Sequence, residues 1–153
     1  MKNTNVKPIP EGYHSVTPFL MVKGAAKNID FMKNAFGARE RNIHKQPDGT
    51  IVHAELEIGD SVIMMSEATE MYPAMPTALY LYVEDVDSVY NMAIQAGGTS
   101  LREPTDEFYG DRSSGVKDPA GNQWWIATHV EDISPEEMKR REEDFMKRQQ
   151  ASS

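Results

Sequence analysis

Apolar and polar positions along the chain switch between a strand period and a helix period in the same order twice. Residues 15–22 alternate as a strand, with Leu20 and Val22 on one side and Thr17, Phe19 and Met21 on the other. Pro18 cannot donate to a ladder and so points to a sheet edge. From residue 24 to 36, Ala25, Ile29, Met32 and Phe36 recur at spacings of four, three and four, which is one face of an amphipathic helix. Strands are predicted over 39–45, 50–58 and 61–66, broken by Pro47-Asp48-Gly49 and by Gly59-Asp60. A linker near 67–76, with Pro73 and Pro76, precedes a second round. That round has a strand over 77–83 and a helix capped by Asp85 that turns Val86, Val89, Ala93 and Ala96 inward. A short strand over 99–102 and a loop over 104–111 follow, then strands over 112–117 and 122–128 around the turn Asp118-Pro119-Ala120-Gly121. Ser134-Pro135-Glu136-Glu137 opens a last, mostly charged helix whose apolar grips are Met138, Phe145 and Met146, and whose last four residues are expected to fray.

The two rounds are one unit repeated at an offset of 61 to 62 residues, since Val22 recurs as Val83, Gly37 as Gly98 and Gly59 as Gly121. The reading is an α+β fold of two βαβββ modules that face one another, with function between them. It divides the chain into an arm at 1–12, one domain at 13–132 with repeats 13–66 and 77–128, and a C-terminal helix and tail at 133–153.

Alternation then assigns faces. Val52, Ala54 and Leu56 are expected to meet the helix, leaving Ile51, His53 and Glu55 across from them. Leu79, Leu81 and Val83 face inward against Ala78, Tyr80 and Tyr82, and Trp124 and Ile126 against Gln123, Trp125 and Ala127. The second face thus gathers Phe19, Met21, Ile63, Met65, Tyr80, Tyr82 and Trp125 around His53 and Glu55. An apolar, aromatic concavity with a few polar groups describes a small-molecule site; the alternative is a seam where two sheets pack.

Composition narrows the function classes. A chain of 153 residues, 39% hydrophobic and 26% charged, suits one globular domain, and no apolar run approaches the span of a bilayer. The net charge of −8 argues against nucleic acid as a partner. The absence of cysteine and of an apolar leader near the start favours a cytoplasmic location without disulfides or thiolate metal sites.

The helix GAAKNIDFMKNAFGA, the strand pair HAELEIGDSVIMM, and FYGDRSSGVKDPAGNQW with THVEDISPEEM resemble the vicinal oxygen chelate superfamily, the glyoxalase, bleomycin-resistance and extradiol-dioxygenase group, most of all its PhnB-like branch. The resemblance covers about residues 13–146. It implies two βαβββ modules forming an incomplete barrel around a cleft, commonly in a homodimer. Catalytic members hold a divalent metal through side chains from four strands. Those positions fall here on Thr17, Ala78, Trp125 and Ile63, with Met64 the alternative to Ile63 if the register slips. None supplies a His or carboxylate ligand, so no metal and no other cofactor is expected.

Other chemistry remains. His53 and Glu55, two apart on one face, suit a general base oriented by a carboxylate, a polar pair within the sheet, or a relocated metal site needing a further ligand. Arg112 suits a bidentate clamp on a ligand carboxylate or phosphate, with Tyr109 closing over it; a structural Asp111–Arg112 hairpin is the plainer reading. His129, Glu131 and Asp132 have the look of a ligand cluster, but the plainer reading is a solvated exit from the last strand into a helix cap. Three functions follow. The first is a metal-independent small-molecule binder stacking a planar or amphipathic ligand on Tyr80, Tyr82 and Trp125, with Thr17, Phe19 and Ile63 also lining the site. The second is a lyase, isomerase or dioxygenase working through His53 and Glu55. The third is a dimeric scaffold without ligand.

Overall fold

The computed structural model describes residues 5–152, so the expected arm is seen from Asn5 onward; residues 1–4, and residue 153 of the expected frayed end, lie outside the described residues. The elements are β1 (Phe19–Val22), α1 (Ala25–Phe36), β2 (Arg39–Lys45), β3 (Ile51–Ile58), β4 (Ser61–Glu67), β5 (Ala78–Tyr82), α2 (Val86–Gln95), β6 (Thr99–Asp106), β7 (Asp111–Lys117), β8 (Gln123–His129) and α3 (Pro135–Ser152). They form two sheets of the same design, ordered β1-β4-β3-β2 and β5-β8-β7-β6. In each, the first strand is an edge strand parallel to its neighbour and the remaining pairs are antiparallel. The sheets do not close into a barrel. None of the described helices is long and apolar enough to cross a membrane.

The two helices within the modules, α1 and α2, each start where a side chain from the last strand of the same module meets free N–H groups at the helix start. Gly24 takes a left-handed conformation at φ 83°, and Glu67 at the end of β4 accepts from Gly24 N–H at 3.0 Å and Ala25 N–H at 2.7 Å. In the second module Asp85 accepts from Ser88 N–H at 3.3 Å, and Thr128 Oγ1 near the end of β8 accepts from Val86 N–H at 2.9 Å.

One core serves both modules, with Leu20, Met32, Leu56 and Met65 from the first and Val86, Ala93, Trp124 and Ile126 from the second. The rings of Phe36 and Trp124 meet across the modules at 4.7 Å. The stronger link is polar. Asp118, 4% exposed, accepts from Asn28 Nδ2 at 3.1 Å, Asn122 Nδ2 at 3.0 Å and Trp124 Nε1 at 2.9 Å, and from the backbone N–H of Ala120 and Asn122. Asn28 and Asn122 are themselves fully buried, so the turn at Asp118 carries a buried knot fastening α1 to the second sheet.

Several expectations change. In β3 the partner register skips Val52, running from His44↔His53 to Lys45↔Ile51, so this bulge puts Ile51 in the core and leaves Val52 half exposed. Ile63 and Met65 pair with Leu56 and Ala54 and are buried on the helix side, so Met64 and Ser66, not these two, share the outer face with Glu55. β1 is shorter than expected, beginning after Pro18, whose carbonyl still accepts from Met64 N–H at 2.9 Å. β6 is longer, passing through Pro104 at a register shift on the sheet edge, where no N–H is needed. The last helix runs unbroken to Ser152 and buries none of its side chains.

Candidate functional site

The outer face of the second sheet is built from alternate residues of β5, β7 and β8. Tyr80 pairs with Trp125 and Tyr82 with Ala127, while Asp111 pairs with His129 and Gly115 with Trp125. This register gathers the side chains around one buried carboxylate. Asp111, 4% exposed, accepts on Oδ2 from the Tyr80 hydroxyl at 2.9 Å and the Tyr82 hydroxyl at 2.8 Å. Its Oδ1 meets His129 Nδ1 at 2.9 Å, and His129 Nε2 meets Asp132 at 2.8 Å.

The electrostatics follow from these contacts. Burial pulls the Asp111 carboxyl upward, but His129 and the two phenols outweigh it and hold it below its ordinary value. Asp111, then Asp132, raise His129. Tyr80 is raised by burial and then by Asp111 and Tyr109; Tyr82 is raised chiefly by Asp111. The face therefore carries an ionised carboxylate beneath two neutral phenols. Their rings lie 5.2 Å apart at 56° and remain about half exposed.

Beside this cluster, Trp125 lies against the sheet. A Cβ on Gly115 would come within 2.6 Å of the indole, so glycine there is what lets the ring settle. Arg102 covers it, with its guanidinium 5.6 Å from the ring centre. Arg102 is held in turn by Ser113 at 2.6 Å and Glu107 at 2.6 Å.

The outer face of the first sheet is more apolar. Phe19, Met21, Val52 and Tyr72 line a hollow of about 640 Å³ that Gln46, Thr50 and Ser66 complete. Next to it the arm crosses the sheet, enclosing about 470 Å³ with Thr17, Arg41, Glu55 and Met64. Arg41 fixes the arm, donating to Glu11 carbonyl at 3.0 Å and lying 5.1 Å over the Tyr13 ring. The Tyr13 hydroxyl is buried with no partner in good hydrogen-bond geometry. Glu55 is still near enough to act on it: burial and then Glu55 push Tyr13 up to about 12, and Tyr13 and then His53 hold Glu55 below the usual carboxylate range.

The structure brings together some of the residues singled out in sequence and separates others. Tyr80 and Tyr82 meet on Asp111, with Tyr109 acting on Tyr80. His53 and Glu55 face each other at a loose 3.4 Å, with Phe19 against the imidazole at 6.0 Å. Among the described residues no hydrogen bond or ring contact joins these two groups. Thr17 lines the arm hollow and a smaller one of about 280 Å³ shared with Tyr80. Ile63 is in the core, and Trp125 is capped rather than open. Arg112 is not a free clamp, because it lies opposite Thr128 on the helix side and binds Asp87 through Nε at 2.8 Å and Nη2 at 2.9 Å, and Asp106 at 3.2 Å. Sequence reasoning missed Asp111, His129 and Arg102. The signal for the first two was parity: Asp111 shares the strand side of Gly115, and His129 that of Trp125.

The superfamily's metal positions do not fit a divalent ion. The ladders pair Phe19 with Met64 as they pair Tyr80 with Trp125, so the four places are Thr17, Met64, Ala78 and Trp125, and these offer no imidazole or carboxylate. A relocated site at His53 and Glu55 lacks a third donor, since among the described residues no group of three or more His, Asp or Glu is placed to hold an ion.

Comparison with known proteins agrees with this architecture. A model of the Glyoxalase/Bleomycin resistance protein/Dioxygenase superfamily matches residues 13–126. An uncharacterised protein of Mycobacterium tuberculosis (strain H37Rv) is 32% identical over 146 residues, covering 88% of this chain and 82% of its own. Among solved structures, a PhnB protein from Bacillus cereus is similar with TM-score 0.62 and 19% identity, over 75% of this chain and 99% of that one. TnmS3, an antibiotic binding protein from Streptomyces sp. CB03234, is similar with TM-score 0.61 and 18% identity, over 76% and 98%. At such identities the solved structures establish the fold, and with the family match over most of the chain they place this protein in the glyoxalase/bleomycin resistance/dioxygenase superfamily.

Proposed function

We propose that the chain is a small-molecule-binding member of its superfamily that holds a planar or amphipathic ligand on its outer sheet faces without the usual metal. The observation that carries this reading is the pair of half-exposed phenol rings of Tyr80 and Tyr82, fixed in place by a carboxylate that is itself buried. Rigid aromatic surface loses little conformational freedom when a ligand stacks on it. The apolar hollow at Phe19 and Val52 offers further room, and Tyr109 lies beside the rings as a closing element. The antibiotic-binding description of TnmS3 is compatible with this mode.

The enzyme alternative through His53 and Glu55 is weaker. A carboxylate held below its ordinary range is a poor base, and the contact between the two is long. A homodimer belongs to the proposal, because the exposed Met71 and Met75, outside the ligand faces, are apolar surface that a second copy would cover. Sedimentation equilibrium tests this part, and a monomer at all accessible concentrations removes it. The binding reading is tested by thermal shift against a broad panel of aromatic compounds. A compound at 100 times its dissociation constant stabilises by about 2.7 kcal/mol, and Tyr80→Ala with Tyr82→Ala should abolish the shift. If no compound moves the midpoint, or if the double variant responds as the parent does, the reading is wrong.

A further inference from the structure

We propose that Tyr80, Tyr82 and Asp111 form a subsite for an organic cation, an amine or ammonium group carried on the planar or amphipathic ligand. The inference rests on the binding function proposed above and adds the charge of what is bound.

The argument is one of donors and acceptors. A tyrosine hydroxyl has one proton to give and lone pairs to receive with. Both protons are committed to Asp111 Oδ2, at 2.9 Å and 2.8 Å, so towards solvent both phenol oxygens can only accept. Asp111 cannot itself reach a ligand, since its other oxygen is taken by His129 and the group is 4% exposed. Its charge acts through the phenols, enriching their oxygens and ring faces in negative potential. The two rings, 5.2 Å apart and tilted at 56°, present those faces at an angle, as the walls of a cage for a positive group.

The surroundings favour the same sign. Glu84 lines the hollow of about 600 Å³ that Tyr82 and His129 also border, and Asp132 lies beyond His129. The cations in reach are committed: His129 between Asp111 and Asp132, Arg102 on Glu107, and Arg112 on the helix side with Asp87 and Asp106. An anion placed on Tyr82 would meet only lone pairs, and on Tyr80 only the neutral hydroxyl of Tyr109 could donate to it. A neutral ring would gain stacking but nothing from the carboxylate.

The experiment uses three probes sharing a naphthalene ring: 2-naphthylmethyl-trimethylammonium, 2-naphthylmethanol and 2-naphthoate. Binding to the full chain is measured at pH 7 by calorimetry. The expected order is cation, then neutral, then anion, with the cation on the order of tenfold tighter than the alcohol. Asp111→Asn should collapse that preference, bringing the cation's affinity down to that of the alcohol in the same variant. Tyr82→Phe, which keeps the ring, guards against misfolding of the Asp111 variant and should keep part of the preference. Equal binding of cation and alcohol overturns the inference while leaving the binding function standing. Failure of all three probes to bind overturns both. A preference that survives in Asp111→Asn also overturns it, because the charge would then come from elsewhere.

Discussion

The two modules share a backbone plan and differ in the chemistry of their outer faces. Phe19 opposite Met64 in the first occupies the place of Tyr80 opposite Trp125 in the second. The turns before β3 and β7 match as well. Gln46 N–H donates to Thr50 and Gly49 N–H to Gln46, just as Glu107 donates to Asp111 and Gly110 to Glu107, so Thr50 is the counterpart of Asp111. Where the first module has a phenyl and a hydroxyl, the second has phenols and the carboxylate that orients them. Each change needs the other, since a buried carboxylate without donors or half-buried phenols without an acceptor would be left unsatisfied. A duplicated frame therefore leaves one face as apolar surface and makes the other a polar, preorganised one.

The largest test of this difference is at the turns that close each sheet. Asp118 is buried and serves donors from both modules, whereas Asp60 in the first module's tight hairpin is exposed and, among the described residues, accepts from its neighbour Ser61 alone. Asp118→Ala should cost about 3–5 kcal/mol in denaturant unfolding, because it orphans the buried amides of Asn28 and Asn122 and the indole N–H. Asp60→Ala should stay within about 0.5 kcal/mol. Similar losses at both sites would mean that the knot does not fasten the modules.

A middle-sized effect is expected at Gly115. Its counterpart across the ladder in the first module is Glu55 opposite Met64, where a methionine takes the place of the indole. Gly115→Ala drives a methyl into the Trp125 indole and should cost about 1–3 kcal/mol, with a shift in emission that is absent when the same change is made in Trp125→Phe. A neutral Gly115→Ala with unchanged emission would show that the indole does not need that space.

The caps come next. Glu67 serves two N–H groups of α1 and adds charge at a helix start, while Thr128 serves one of α2. Glu67→Ala should therefore destabilise more than Thr128→Ala, both within about 0.5–2 kcal/mol by thermal melting. The reverse order would mean that the Asp85 cap and Thr128 are the stronger pair.

The frame was legible because its signals are local. Spacing of Ala25, Ile29 and Met32 placed α1, and β2 fell on the predicted residues. What failed needed partners. Val62, Ile63, Met64 and Met65 form a continuous apolar run, so alternation cannot say which side is core; only pairing of Ile63 with Leu56 decides it. The bulge at Val52 is likewise a property of two strands. In the site, Tyr80 and Tyr82 were readable by alternation. Asp111 and His129 were lost because the predicted strands stopped one residue short of each. Arg112 was overvalued although its place opposite Thr128 puts it on the helix side.

The smallest effect is also the most direct probe of the second module's carboxylate. His129 is raised above its ordinary 6.5 by Asp111 first and Asp132 second. A raised folded value means the imidazolium stabilises the fold fully below pH 6.5 and loses that contribution as pH climbs through the raised value. Asp111 works in the opposite sense. Held below its ordinary 3.8 despite burial, it contributes above pH 3.8 and loses the contribution as pH falls through the lowered value. Both terms are therefore complete between those limits. An NMR titration of the His129 ring should give a midpoint above 6.5. Asp111→Asn should move that midpoint down, and Asp132→Asn should move it down by less, because Asp132 is the weaker and more exposed partner. If Asp132→Asn produces the larger drop, the imidazole answers to the solvent-side carboxylate. Asp111 would then be ionised mainly by its phenol donors, and the second face would owe its polarity to the tyrosines alone.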